Sequence, residues 1–99
     1  MSIYRNKDLL YVTHLLPCQH CGKIDGTVVA AHSNQLRDGK GRGVKAADYR
    51  IAALCYTCHS ELDQGAKLSK EERIELFEEA HRKTIGQLFE LGYLKVVNK

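Results

Sequence analysis

The sequence predicts a small α+β domain, with two short strands and a short helix at its centre and a long amphipathic helix on its C-terminal side. Three observations carry this expectation. Two cysteine pairs share one spacing, Cys18-Gln-His-Cys21 and Cys55-Tyr-Thr-Cys58. Two short apolar runs lead into His32 and Cys55 respectively, and an apolar stripe recurs at three- and four-residue steps from Ile74 to Leu91. The 99 residues allow one domain, residues 1–99. A core this small is marginal by itself, so a bound metal would add stability that packing cannot supply.

Residues 3–16 mix Tyr, Leu, Val and charged side chains without a clean period and read as a helix or a strand, ended by Pro17. Cys18–Lys23 has the form C-x-x-C-G-K, in which the glycine permits the tight turn that brings backbone amides to thiolate sulfur. After the Asp25-Gly26 turn signal, Thr27–His32 is β-branched and small, a short strand with His32 at its end. A glycine-punctuated basic loop, Leu36–Lys45, follows. Tyr49–Leu54 reads as a second strand, and from Cys55 the chain turns into a helix carrying His59, Glu61 and Asp63, stopped by Gly65. Ser69-Lys-Glu-Glu72 is a capping box that opens a helix over about 70–91. Ile74, Phe77, His81, Ile85, Leu88 and Leu91 form its apolar stripe, Phe77 and Phe89 belong to its core, and Val96 and Val97 extend it as an apolar tail. His14 and His81 are expected in packing or surface roles.

No secretory signal or membrane-spanning stretch is visible, so a cytoplasmic protein without membrane contact is expected. In a reducing compartment paired C-x2-C motifs read as metal ligands before disulfides, with a disulfide inside each pair as the alternative. Net charge is +3, with a pI of about 8.7, which many unrelated proteins share and which does not establish nucleic-acid binding. Its placement says more, because Arg37, Lys40, Arg42 and Lys45 share one loop. Those cations, with loop amides at Gly39, Gly41 and Gly43, suit phosphate contacts. A solvated flexible loop is the plainer reading.

Cys18, Cys21, Cys55 and Cys58 follow C-x2-C-x33-C-x2-C, the pattern of two knuckles that meet around one tetrahedral ion. Zinc suits four thiolates, and a closed sulfur shell leaves no position for substrate, so such a site is structural. His20 and His59 each neighbour a cysteine and could replace one. His59 and Asp63 lie four apart on the expected helix, hence one turn apart on one face, as two ligands of a second cation require.

Ala31-His32 at a strand end, a loop, and Ala53-Leu-Cys-Tyr-Thr-Cys-His59 together resemble the HNH, or His-Me finger, nucleases with their ββα-metal unit, over about residues 18–64. Over most of its length the chain also resembles small phage and prophage nucleases of the YbcO-like kind. That resemblance rests on Ala31-His32, the basic loop ending in Lys45-Ala-Ala-Asp48, and Leu54-Cys-Tyr-Thr-Cys-His-Ser-Glu-Leu-Asp63. It implies a zinc-stabilised ββα-metal domain acting as a metal-dependent DNA endonuclease in phage recombination or DNA processing. A recombinase or another phage replication protein is an implied partner. His32 would be the general base, and His59 and Asp63 would hold Mg²⁺ or Mn²⁺. Imidazole chemistry suits proton removal from water at neutral pH, and a divalent ion suits charge developing on phosphate oxygens.

The chain departs from the family pattern in two places. Arg50 stands where many HNH proteins carry a middle asparagine, and Ala31 where some relatives have a further metal ligand. Asp48 is the candidate either to orient His32 or to join the metal shell, and Asn34 is a second candidate for the orienting role. Arg50 is a further candidate contact to the scissile phosphate, and Glu61 either supports the metal ligands or is an exposed carboxylate. A ligand-poor site suits Mg²⁺, which keeps several waters, and Zn²⁺ is also compatible. These departures favour the alternative of a non-catalytic zinc-knuckle DNA-binding accessory protein, and the retained His32, His59 and Asp63 oppose it. A protein-interaction module built on the amphipathic helix is a third reading.

Overall fold

A computed structural model describes residues 3–97. In chain order it contains α1 (Lys7–Thr13), β1 (Val29–His32), a 3₁₀ turn (Leu36–Asp38), β2 (Ile51–Leu54), α2 (Tyr56–Asp63) and α3 (Lys70–Glu90). The N-terminal segment is therefore a helix. Asn6 starts it by accepting the Leu9 N–H at 3.0 Å, and Asp8 lies in the positive first turn.

The strands pair antiparallel, with Val29 opposite Leu54 and His32 opposite Ile51. Both begin two residues later than the sequence suggested, for identifiable reasons. The Thr27 hydroxyl donates to Asp25 Oδ1 at 2.6 Å and accepts the Tyr56 N–H at 2.9 Å, so Thr27 ties a turn to the start of α2. Ala47 to Arg50 form a turn closed by the Arg50 N–H on the Ala47 carbonyl at 2.9 Å. That turn directs Asp48 inward.

All four residues of β2 are inaccessible to solvent. Among the described residues no third strand pairs with its outer edge, and an unpaired buried edge is costly unless something satisfies it. Here the Ala53 N–H donates to Thr84 Oγ1 at 3.0 Å, the Gln19 N–H donates to the Ala53 carbonyl at 2.8 Å, and His81 Nδ1 donates to the Ile51 carbonyl at 2.7 Å. Small side chains make this possible. β2, with Ala52 and Ala53 at its centre, packs against a helix whose central buried positions are Ala80 and Thr84, so helix and strand approach closely enough for a hydroxyl to act as the missing strand partner.

Both halves of the expected capping box form at Ser69 and Glu72, and Gly92 at φ 83° ends the α3 segment. The buried face runs through Phe77, Ala80, Thr84 and Leu88. Phe89 and Leu91 are more than half exposed, and Val96 and Val97 are almost fully so. The core role expected of Phe89, the Leu91 end of the stripe and a packed apolar tail are therefore corrected. A face that begins at Phe77 and follows the Ala80–Thr84 contact rotates past Phe89 and Leu91. No helix among the described residues is long and apolar enough to cross a membrane.

Candidate metal centre and active-site cleft

The first knuckle forms through the Cys18 N–H on the Lys23 carbonyl at 3.0 Å and the Gly22 N–H on the Cys18 carbonyl at 2.9 Å. Gly22, at φ 81°, supplies the left-handed residue that the turn requires. The second pair opens α2: Cys55 is its N-cap and Cys58 lies in its first turn, where the helix dipole favours thiolate. Gln19 anchors the first knuckle to both β2 and α3, through its N–H on Ala53 and its side-chain amide on Gln87 at 2.7 Å.

The four sulfurs lie within 4.8 Å of one another, and Cys21 and Cys55 are 3.7 Å apart. All four are free thiols, which sets aside a disulfide within either pair. A tetrahedral ion with bonds of about 2.3 Å to sulfur sets its ligands about 3.8 Å apart, so the donor set fits zinc. Neither His20 nor His59 belongs to it. Burial opposes ionisation of Cys18, yet the amides of Cys21, Cys55 and His20 bring it down to about 6. Burial and the neighbouring thiols push Cys58 well above the ordinary thiol range. Four thiolates repel one another until a cation sits among them. The four cysteines can thus hold a metal such as zinc.

Beyond the end of β1 lies an open cleft of about 390 Å³ lined by His32, Asn34, Lys40, Lys45, His59 and Asp63. His32 comes from the strand end, His59 and Asp63 from one face of α2, and the lysines from the glycine-rich loop. The residues expected to act together therefore meet in one place.

His32 Nε2 lies 2.8 Å from Asp48 Oδ1, and the Asp48 side chain is almost completely buried. Its other oxygen accepts the Asn6 N–H at 2.7 Å, while Arg5 Nη1 donates to Oδ1 at 3.2 Å. Burial alone would raise the Asp48 pKa, but His32, the Asn6 amide and Arg5 hold it below the usual aspartate value. An ionised Asp48 accepts from Nε2–H, which leaves the Nδ1 lone pair free to take a proton. Of the two candidates for orienting His32, Asp48 contacts it. Asn34 points elsewhere, donating to Asp63 Oδ1 at 2.8 Å.

His59 Nε2 and Asp63 Oδ2 are 2.9 Å apart. That separation is a direct hydrogen bond, which a cation held by both groups would replace. Their hydrogen bond raises the His59 pKa and lowers that of Asp63. Among the described residues, the thiol cluster is the one group of three or more His, Cys, Asp or Glu side chains that converge on a point. A cation at His59 and Asp63 would need water or phosphate for its remaining positions.

Arg50 is not available for phosphate as expected. Its Nε lies 2.9 Å from Asp38 Oδ1, its Nη2 binds Glu78, and its guanidinium sits 5.6 Å over the Phe77 ring. Ser33 Oγ donates to Asp38 Oδ2 at 2.6 Å and Gln35 Nε2 donates to Glu78 Oε2 at 2.7 Å, so a polar network fastens the chain after His32 to α3. Two of the three glycine amides are also engaged. The Gly39 N–H binds the Leu36 carbonyl and the Gly41 N–H the Val44 carbonyl, each at 3.0 Å. Lys40 and Lys45 face the cleft, Arg42 is exposed in the Gly41–Val44 turn, and Arg37 lines an adjoining groove. Glu61 faces Lys67 at 3.7 Å and does not contact the His59–Asp63 pair.

Sequence reasoning missed Arg5. Besides Asp48, it donates to the Ala46 carbonyl at 2.6 Å and the Lys45 carbonyl at 2.8 Å, pinning the far end of the loop. No local signal marks a partner some 40 residues away. Comparison with protein-family models, with curated proteins and with solved structures found no match.

Proposed function

We propose that this chain is a divalent-metal-dependent DNA endonuclease of the ββα-metal type, stabilised by a structural zinc. The observation that carries the reading is the His32–Asp48 pair at 2.8 Å opening on the same cleft as His59 and Asp63, with Lys40 and Lys45 at its wall. A histidine held by a buried carboxylate, beside two hard ligands and two cations, matches the needs of phosphodiester hydrolysis more closely than those of simple DNA binding.

His32 Nδ1 takes a proton from water as the water oxygen bonds to phosphorus. The bond from phosphorus to the 3′ oxygen breaks, and that oxygen keeps the electron pair and is protonated from solvent. Asp48 fixes the His32 ring and stabilises the imidazolium that forms. Lys40 and Lys45 hold the flanking phosphates, and Asn34 keeps the Asp63 carboxylate turned toward His59. A Mg²⁺ or Mn²⁺ ion bound at His59 and Asp63 would supply electrostatic stabilisation of the charge that develops on the phosphate and leaving oxygens. Phage recombination or DNA processing, alongside a recombinase, is the setting in which we place this activity.

The test is cleavage as a function of Mg²⁺ or Mn²⁺ concentration. The reading expects His59→Ala and Asp63→Ala to abolish cleavage, or to shift it to much higher metal concentration, with the zinc content unchanged. Binding of DNA without cleavage at any metal concentration would favour the accessory DNA-binding protein instead.

A further inference from the structure

Beside the cleft lies a larger groove of about 690 Å³, and Asn34 and Asp63 line both. Its wall carries three cations, Arg37, Lys70 and Arg73, against the single carboxylate of Asp63. Its apolar surface comes from Leu36 and Ile74, lying over Leu62 and Phe77, which are almost fully buried. Neither the general base nor the cations of the cleft need this space, whose combination of charge and apolar surface calls for an anionic occupant with a flat uncharged body.

We propose that the groove holds an unpaired nucleotide next to the scissile phosphate, so that the preferred substrate is DNA with an unstacked or single-stranded residue at the cleavage point. This rests on the nuclease reading above. A strand whose phosphate lies at Asp63 has its next nucleotide at the mouth of the groove, because the same aspartate borders both spaces. Intact duplex offers a protein only its phosphates and groove edges, with the base faces stacked inside, and so gains nothing from an apolar floor. An unpaired base has already lost its partner, so its transfer to the Leu36–Ile74 surface costs little, while Arg37 and Lys70 meet its phosphates. Arg73 is partly committed, since its Nη2 holds the Gly65 carbonyl at the end of α2.

The experiment measures binding of the zinc-loaded chain, without added Mg²⁺, to a short labelled duplex and to the same duplex carrying one unpaired nucleotide. The affinity ratio is the readout. Wild type is expected to favour the unpaired substrate by about tenfold, the worth of one buried base. Arg37→Glu/Lys70→Glu and, separately, Ile74→Asp should bring the ratio close to one, with folding checked by circular dichroism. A wild-type ratio near one, or a ratio that both variants leave unchanged, overturns the groove assignment. The nuclease reading is scored separately, by His32-dependent cleavage of the same oligonucleotides with Mg²⁺. Absence of that cleavage with the ratio intact sinks the nuclease and keeps the groove, and absence of all DNA binding sinks both.

Discussion

The thiol cluster and the cleft are both built on α2, from residues one apart at Cys58 and His59, yet they are opposite kinds of site. In the cluster four soft donors converge within 4.8 Å, three of them buried, and the backbone around them is used up in knuckle turns. In the cleft a histidine and a carboxylate lie 2.9 Å apart at a surface opening, among lysines and a carboxylate-held histidine. A closed set of four can hold a metal and do nothing further with it; an open pair leaves room for water and phosphate. The contrast shows how one short helix presents a closed soft donor set on its first turn and an open polar pair on its second.

The largest test of that contrast is to remove the closed site. Structural zinc contributes on the order of 10 kcal/mol in small domains, comparable to the whole stability of a domain this size. Cys55→Ser is therefore expected to abolish the cooperative thermal transition, as should a strong chelator. Acid should act in the same direction, because ligation needs thiolates and protons compete with the metal for them, so lowering the pH should release zinc and lower the melting temperature together. A zinc-free chain that melts like the wild type would break the comparison.

In the open site the expected losses are in rate, with the fold left intact. His32→Ala should reduce cleavage by roughly 10²- to 10⁴-fold, the range for a positioned general base. Asp48→Asn should cost a comparable factor, up to about 10⁴-fold, as when the buried carboxylate that orients a general-base histidine is neutralised. The same variant tests the acid limb of stability. The folded-state pKa of Asp48 is depressed, so its contribution is present above the unfolded value of about 3.9 and is lost as pH falls through the folded one. Asp48→Asn should flatten the decline in melting temperature below about pH 4.

Smaller effects separate the cations. Arg50→Ala leaves Asp38 and Glu78 without their partner and should destabilise by about 2 kcal/mol, with little change in the salt dependence of DNA binding. Lys45→Ala should do the reverse, leaving stability within about 0.5 kcal/mol and lowering the salt slope by about 1. Binding at several salt concentrations together with thermal melts reads both.

What was legible in the sequence follows the range of the interactions. The cysteine spacing located all four sulfur donors, and a four-residue step put His59 beside Asp63, because knuckles and helix turns are local geometry. The capping box placed the start of α3 for the same reason. Long-range pairings were not legible. Arg5 reaches Asp48 across 43 residues, and Arg50 is drawn into Asp38 and Glu78 by the packing of α3 on β2. The buried face of α3 was misjudged at Phe89 and Leu91, because small residues at Ala80 and Thr84 set its rotation, and a hydrophobic stripe weighs large ones.

The most direct measurement of the central claim is cleavage of supercoiled and linear DNA by the zinc-loaded wild type and His32→Ala, each with Mg²⁺, Mn²⁺ or no added divalent ion. The account predicts metal-dependent nicking by the wild type that His32→Ala loses while keeping its zinc, its melting transition and its affinity for DNA. Equal cleavage by both proteins, or none by either with any divalent ion, would contradict it.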